Sequence, residues 1–190
     1  RKAQHQLVAA LAELKALPWR CTLAGSDTRN AGYARRLRKQ IAEAGLSDRI
    51  ELTGELEEDG LKDRYRRADF FVFPSLYEGY GMVIDEALAA GLPIISSDGG
   101  ALANTAARPG VALYSAGDVQ ALAARIERWL SDPKALEHAR KLAAREARAA
   151  RTWQATAEDL FSAIRHFRIL EPEMHRHSAF ESQWLSAREP

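Results

Sequence analysis

Leu7, Leu11 and Leu14 recur at the spacing of one helical face, so Ala3 to Leu17 is predicted to be a helix that Pro18 ends. The pattern then changes. CTLAG at 21–25 is a short apolar run closing on glycine, the form of a buried strand. Helical character returns over 31–44 and stops at Gly45, a C-terminal glycine signal. IELTG at 50–54 reads as a second strand and 57–67 as a charged helix. FFVFPS at 70–75 is the strongest strand, aromatic and bounded by polar residues and Pro74. Residues 82–90 read as helix, LPIISS at 92–97 as strand before Asp98-Gly99-Gly100, and GVALYS at 110–115 as a fifth strand.

Short apolar strands separated by helices imply a parallel sheet covered on both faces. The fold class is therefore α/β, a doubly wound, Rossmann-like domain. From Asp118 the chain turns helical. Asp118 is placed to cap a helix through Trp129, Asp132-Pro133 to start another, and a third is expected over 152–168. The domain is assigned to 1–168 and a tail or linker to 169–190.

Composition narrows the classes without choosing among them. The chain has 190 residues, 46% hydrophobic and 28% charged, the balance of an ordinary globular domain. Its net charge of +1 gives no overall grip on nucleic acid or anionic membrane. The single cysteine, Cys21, excludes a disulfide framework, and an intracellular home is expected. The basic clusters at Arg35, Arg36, Arg38, Lys39 and at Arg64, Arg66, Arg67 fall on helices and read as solvated faces. His175 and His177 lack a third ligand at metal spacing, and no G-x-S-x-G, H-E-x-x-H or Walker motif occurs.

The chemistry gathers in E-G-Y-G-M-V-I-D-E, residues 78–86, directly after the strongest strand. In doubly wound sheets ligands bind beyond the carboxyl ends of the strands. Gly79 and Gly81 let backbone approach a ligand, and the helix starting near Gly81 offers free N–H groups to an anion. Glu86, in that helix, can accept from two vicinal hydroxyls, as a ribose diol presents them. Glu78 would face what lies beyond the phosphates. The plainer reading makes Glu86 a solvated helix residue and Glu78 a helix cap. Gly99-Gly100, taken alone, reads as an ordinary tight turn.

The stretch F-V-F-P-S-L-Y-E-G-Y-G-M-V-I-D-E-A-L-A-A-G-L-P-I-I, residues 71–95, resembles the donor-binding, C-terminal domain of retaining nucleotide-sugar glycosyltransferases of GT-B fold, the group 1 family. LAGS at 23–26, R-I-E-L-T-G at 49–54, Y-R-R-A-D-F, D-G-G at 98–100 and G-D-V-Q-A-L at 117–122 extend the resemblance over roughly 1–168. It implies that Glu78 contacts the donor sugar at the catalytic centre and that Glu86 holds the ribose hydroxyls. It implies that Tyr80, Gly81, Met82 and Val83, beside Gly79, form the loop meeting sugar and diphosphate. Lys2 matches a diphosphate-binding lysine in R-K-G, where Ala3 stands for the glycine. Asn104 or its neighbours replace a glutamate that many members carry after the glycine pair.

The donor substrate would be a nucleotide-diphosphate sugar, with no cofactor and no dedicated metal. The resemblance also implies a strand ahead of residue 1 with a phosphate-binding arginine, and an N-terminal partner domain; neither is in this sequence. The tail S-Q-W-L-S-A-R-E-P resembles the entry to a fused methyltransferase module. The protein is expected to be cytoplasmic, with peripheral attachment at the inner membrane face left open, and the fragment alone to catalyse little. The alternative reading is a degenerate, non-catalytic nucleotide-sugar-binding or interaction domain.

Overall fold

The computed structural model describes residues 1–149 together with Glu158, Phe161 and Ser162. Arg1–Ala149 is one compact unit. Its elements run helix α1 (Gln4–Glu13), strand β1 (Cys21–Ala24), α2 (Ala31–Glu43), β2 (Ile50–Gly54), α3 (Glu58–Arg67), β3 (Phe71–Phe73), α4 (Met82–Ala89), β4 (Ile94–Ser97), α5 (Leu102–Thr105), β5 (Val111–Tyr114), α6 (Val119–Ser131) and α7 (Pro133–Ala149). In the second unit, Ala150–Pro190, the three described residues are helical. The rest of the expected 152–168 helix, and the 169–190 tail with its two histidines, lie outside the described residues.

Every strand pair is parallel, as the alternation predicts, but the pairing forms two ladders and not one continuous sheet. β1 pairs with β2, and β4 pairs with β3 on one side and β5 on the other. The break has a topological reason. In the doubly wound order 3-2-1-4-5-6, strand 1 sits between strands 2 and 4. Counting the strand expected ahead of residue 1 as the first makes β1 and β3 strands 2 and 4, and the break falls between them.

The period of two along each strand sorts its residues between two cores. Ile95, Val72 and Tyr114 point to a cluster roofed by Leu7 and Leu11 of α1, Leu37 of α2 and Leu122 and Ile126 of α6. Ile94, Phe73 and Leu113 point the other way, against Ile84 and Leu88 of α4 and Ala143 of α7. Ile94 and Ile95 are both fully buried, each worth about 1.5–3 kcal/mol. A slip of one residue in β4 would exchange its two buried faces, so its register is strongly specified.

The helix ends follow local hydrogen bonding. Asn30 caps α2 through Tyr33 N–H, Asp118 caps α6 through Ala121 N–H, and Asp132 receives the N–H groups of Lys134 and Ala135 at the head of α7. Gly45, at φ 65°, closes α2 while Leu46 N–H reaches back to Ile41 O. α1 stops at Glu13, four residues short of the predicted Leu17. The carbonyls past its end are capped by side chains: Trp19 Nε1 donates to Leu14 O at 2.7 Å, and Arg49 donates to the carbonyls of Lys15, Leu17 and Trp19. The Arg49 guanidinium also stacks on the Trp19 ring, 3.8 Å from its centroid.

Candidate functional site

The loops leaving β3 and β4 meet at the carboxyl end of the three-stranded ladder. Glu78 N–H donates to Gly99 O at 3.3 Å, Ala101 N–H donates to Glu78 O at 2.9 Å, and Glu78 and Gly100 form a parallel bridge. The contact leaves no room for side chains at the glycine pair. A Cβ on Gly99 would lie 2.4 Å from Leu76 O, and one on Gly100 2.5 Å from Glu78 O. Gly99-Gly100 is thus more than a tight turn, because it is what allows the two loops to touch.

The glycines of the first loop divide in a way their spacing did not reveal. Gly81 takes φ 88° as the N-cap of α4, and a Cβ there would meet Leu102 Cδ2 at 2.6 Å, so packing within the protein already requires it. Gly79 has nothing within 4 Å of an added Cβ and is the glycine that faces open space. No side chain caps α4, so the N–H groups of Met82 and Val83 remain without a capping partner. Leu76, Tyr77, Tyr80 and Met82 are all exposed along this rim.

Glu78 is buried and held. Its Oε1 accepts from Lys2 Nζ at 2.7 Å and from Ser75 Oγ at 2.8 Å, with Arg1 Nε at 3.9 Å. Burial pushes the carboxyl up, but the hydrogen bonds from Lys2 and Ser75 and the charges of Lys2 and Arg1 outweigh it and hold the group below its ordinary value. The ionised form is therefore the resident one. Arg1 and Lys2 are positioned by backbone: Arg1 O accepts from Leu76 N–H at 2.9 Å, and the chain turns into α1 at Ala3, which adopts φ 49°. That left-handed conformation explains why glycine would suit the third position of R-K-G. Lys2 Nζ also lies over the Phe73 ring, 4.7 Å from its centroid. The same ring lies within reach of Gly81 at the head of α4.

Glu86 is exposed in the second turn of α4 and accepts from Tyr65 Oη at 3.3 Å. Burial first, then the charge and hydrogen bond of Glu86, push the Tyr65 phenol up, so it stays a neutral donor. The structure thus gathers Lys2, Glu78 and the 79–83 loop in one place and sets Glu86 on the same helix with its own partner. Sequence reasoning passed over Ser75 and Tyr65, although both lie in stretches it singled out. Asn104 is exposed on α5. Among the described residues no three His, Cys, Asp or Glu side chains gather as metal ligands, and no helix is long and apolar enough to cross a membrane.

Residues 1–148 match the family model described as "Glycosyl transferases group 1". The chain belongs to this family. It is 33% identical over 139 residues, 70% of this chain, to the lipopolysaccharide core biosynthesis mannosyltransferase LpcC of Rhizobium leguminosarum bv. viciae, and spans 38% of that protein. Among solved structures it resembles the sucrose-phosphate synthase of Thermosynechococcus elongatus (TM-score 0.77, 31% identity, 90% of this chain and 43% of that one). It also resembles HepE from Anabaena in complex with UDP (TM-score 0.72, 25% identity, 85% of this chain and 45% of that one). The same HepE solved with UDP-glucose aligns at TM-score 0.70 and 26% identity, again over 85% of this chain and 45% of that one. The chain spans less than half the length of each of these group 1 relatives. Its glycosyltransferase family and Rossmann-like fold are settled by these matches.

Proposed function

We propose that this chain is the donor-binding half of a retaining glycosyltransferase that moves a sugar from a nucleotide-diphosphate sugar to an acceptor. The observation that carries the reading is the buried, ionised Glu78 beside Lys2 and the uncapped N-terminus of α4. A carboxylate, an ammonium and free helix N–H groups match, in one cleft, a sugar hydroxyl and a diphosphate. That one relative binds UDP and UDP-glucose supports the class of ligand.

On this reading the diphosphate sits at the N–H groups of Met82 and Val83, where the helix dipole favours negative charge. Lys2 meets the charge that grows on the diphosphate as the glycosidic bond breaks. Glu78 accepts a hydroxyl of the donor sugar and so orients it, and Glu86 accepts the ribose diol. Gly79 leaves space for the sugar. The acceptor, and the other wall of the cleft, come from the remainder of the protein, so the fragment by itself binds donor weakly and transfers little.

The test is calorimetry of the intact protein with UDP-glucose and GDP-mannose, then of its Glu86→Ala variant. Loss of the ribose contacts is expected to weaken the donor that binds by about tenfold or more. Unchanged affinity would remove Glu86 from the site. Tight binding without any sugar transfer to water or to acceptors would favour a binding domain over an enzyme.

A further inference from the structure

The two oxygens of Glu78 are not equivalent. Oε1 takes both hydrogen bonds, from Lys2 Nζ and Ser75 Oγ, whereas among the described residues Oε2 receives none and it keeps some contact with solvent. Oε2 is therefore the oxygen left for a further hydrogen bond. The two donors on Oε1 also differ. Lys2 is a half-exposed ammonium on a flexible stem, free to turn to another anion. Ser75 is fully buried. Its own carbonyl accepts from Ser97 Oγ, and Ser96 Oγ donates in turn to Ser97 O at 2.9 Å, so a run of buried serines fixes it to the end of β4.

A serine hydroxyl has one proton to give. Ser75 Oγ also lies 3.2 Å from Arg1 O and 3.3 Å from Tyr77 O. The carboxylate is nearer, at 2.8 Å, and charged, and Arg1 O already has the Leu76 N–H. The proton belongs on Glu78 Oε1.

We infer that Ser75 is a positioning residue of the donor-sugar site: it pins Oε1 of Glu78 so that Oε2 faces the cleft as the acceptor for a sugar hydroxyl. The inference rests on the donor-binding reading above. It assigns Ser75 a task that grows when donor arrives. Once Lys2 turns to the diphosphate, Ser75 is the one described hydrogen-bond donor still holding the carboxylate in that orientation.

The experiment uses the intact protein and isothermal calorimetry with UDP, UDP-glucose, GDP and GDP-mannose. For the nucleotide that binds, the quantity read is the ratio of the Kd of its sugar conjugate to the Kd of the bare diphosphate. Ser75→Ala is expected to raise that ratio about tenfold while leaving the diphosphate Kd near native. Ser75→Cys, similar in volume but a weaker donor, should give a smaller rise. Glu78→Ala should raise the ratio at least as much as Ser75→Ala. If Glu78→Ala raises it and neither serine variant does, the positioning role is wrong and the donor reading survives. If Glu78→Ala leaves it unchanged, the donor reading itself falls. Equal loss of diphosphate and sugar-diphosphate affinity in both serine variants would make Ser75 a purely structural residue and overturn the inference. Should Ser75→Ala fail to fold, Ser75→Cys decides by the same ratio.

Discussion

Gly99→Ala is the substitution that most directly tests how the site is built. The added methyl carbon would lie 2.4 Å from Leu76 O, 2.7 Å from Leu76 C and 2.9 Å from Ser75 O. All three are backbone atoms, so no side chain can swing aside. The loops must part by roughly 1 Å to restore van der Waals distance. They are held by the Glu78–Gly99 and Ala101–Glu78 backbone bonds and by Ser97 on Ser75 O. Losing one or two of these costs about 1 kcal/mol each, and the overpacking itself about 1–3 kcal/mol. The lower entropy of an unfolded chain with alanine offsets about 0.4–1 kcal/mol of that. The net is a destabilisation of about 1–4.5 kcal/mol, or roughly 3–15 °C in Tm for a chain of this size. Thermal unfolding followed by circular dichroism reads it. Gly79→Ala is the matched control, since its methyl meets nothing within 4 Å. It should leave Tm within about 2 °C of native, yet weaken donor binding if, as proposed, Gly79 makes room for the sugar. A Gly99→Ala protein within about 0.5 kcal/mol of native, or equal losses at both positions, would refute the two-loop account.

Three other outcomes are expected. Arg49→Lys cannot reproduce the fork that serves three carbonyls and the stacking on Trp19, so it should lower the unfolding free energy read by urea titration almost as far as Arg49→Ala, by about 2–4 kcal/mol; a lysine variant as stable as native would contradict the capping role. Burial pushes the half-buried Cys21 thiol up to about 12, so at pH 8 the native protein should react with a disulfide reagent at least roughly thirtyfold more slowly than the urea-unfolded chain, the lower thiolate fraction being partly offset by the greater nucleophilicity of a more basic thiolate; comparable rates would show the thiol to be unshifted. Glu78 titrates below its ordinary 4.5 when folded, so its contribution to stability is fully present above that pH and is lost as pH falls towards the lowered folded value. The stability difference between native and Glu78→Gln protein, followed by urea titration from pH 7 to 3, should therefore be flat to about 4.5 and then shrink; a difference that grows on acidification would reverse the sign.

Much of the fold was legible because it is written in short-range patterns. The turn chemistry at Gly45, Asp118 and Asp132 marks helix ends through local hydrogen bonds, and each works where the sequence places it. The end of α1 was not legible in the same way. Its leucine spacing continues to Leu14, but the carbonyls beyond are capped by Arg49, far away in the sequence and just ahead of β2, and no local rule sees that partner. The split into two ladders was hidden for a related reason. A pattern of strands and helices gives their number and kind, while hydrogen bonding between β1 and β3 depends on what lies between them in space.

The site shows the same division at finer scale. The residues proposed to face the donor were named from the order carboxylate, glycines and helix start, because free N–H groups and missing side chains are properties of single positions. Their partners could not. Ser75 is one serine among several, and only the fold shows it as a buried hydroxyl on a buried carboxylate. In sequence Gly81 looks like a ligand-approach glycine and Gly99-Gly100 like a tight turn; in space all three are demanded, by Leu102, by the Leu76 carbonyl and by Glu78 itself. Gly79 is the exception that sharpens the point. Among the described residues nothing lies within 4 Å of a Cβ there, so the fold itself does not demand glycine; on the donor-binding reading, the missing side chain leaves room for the sugar.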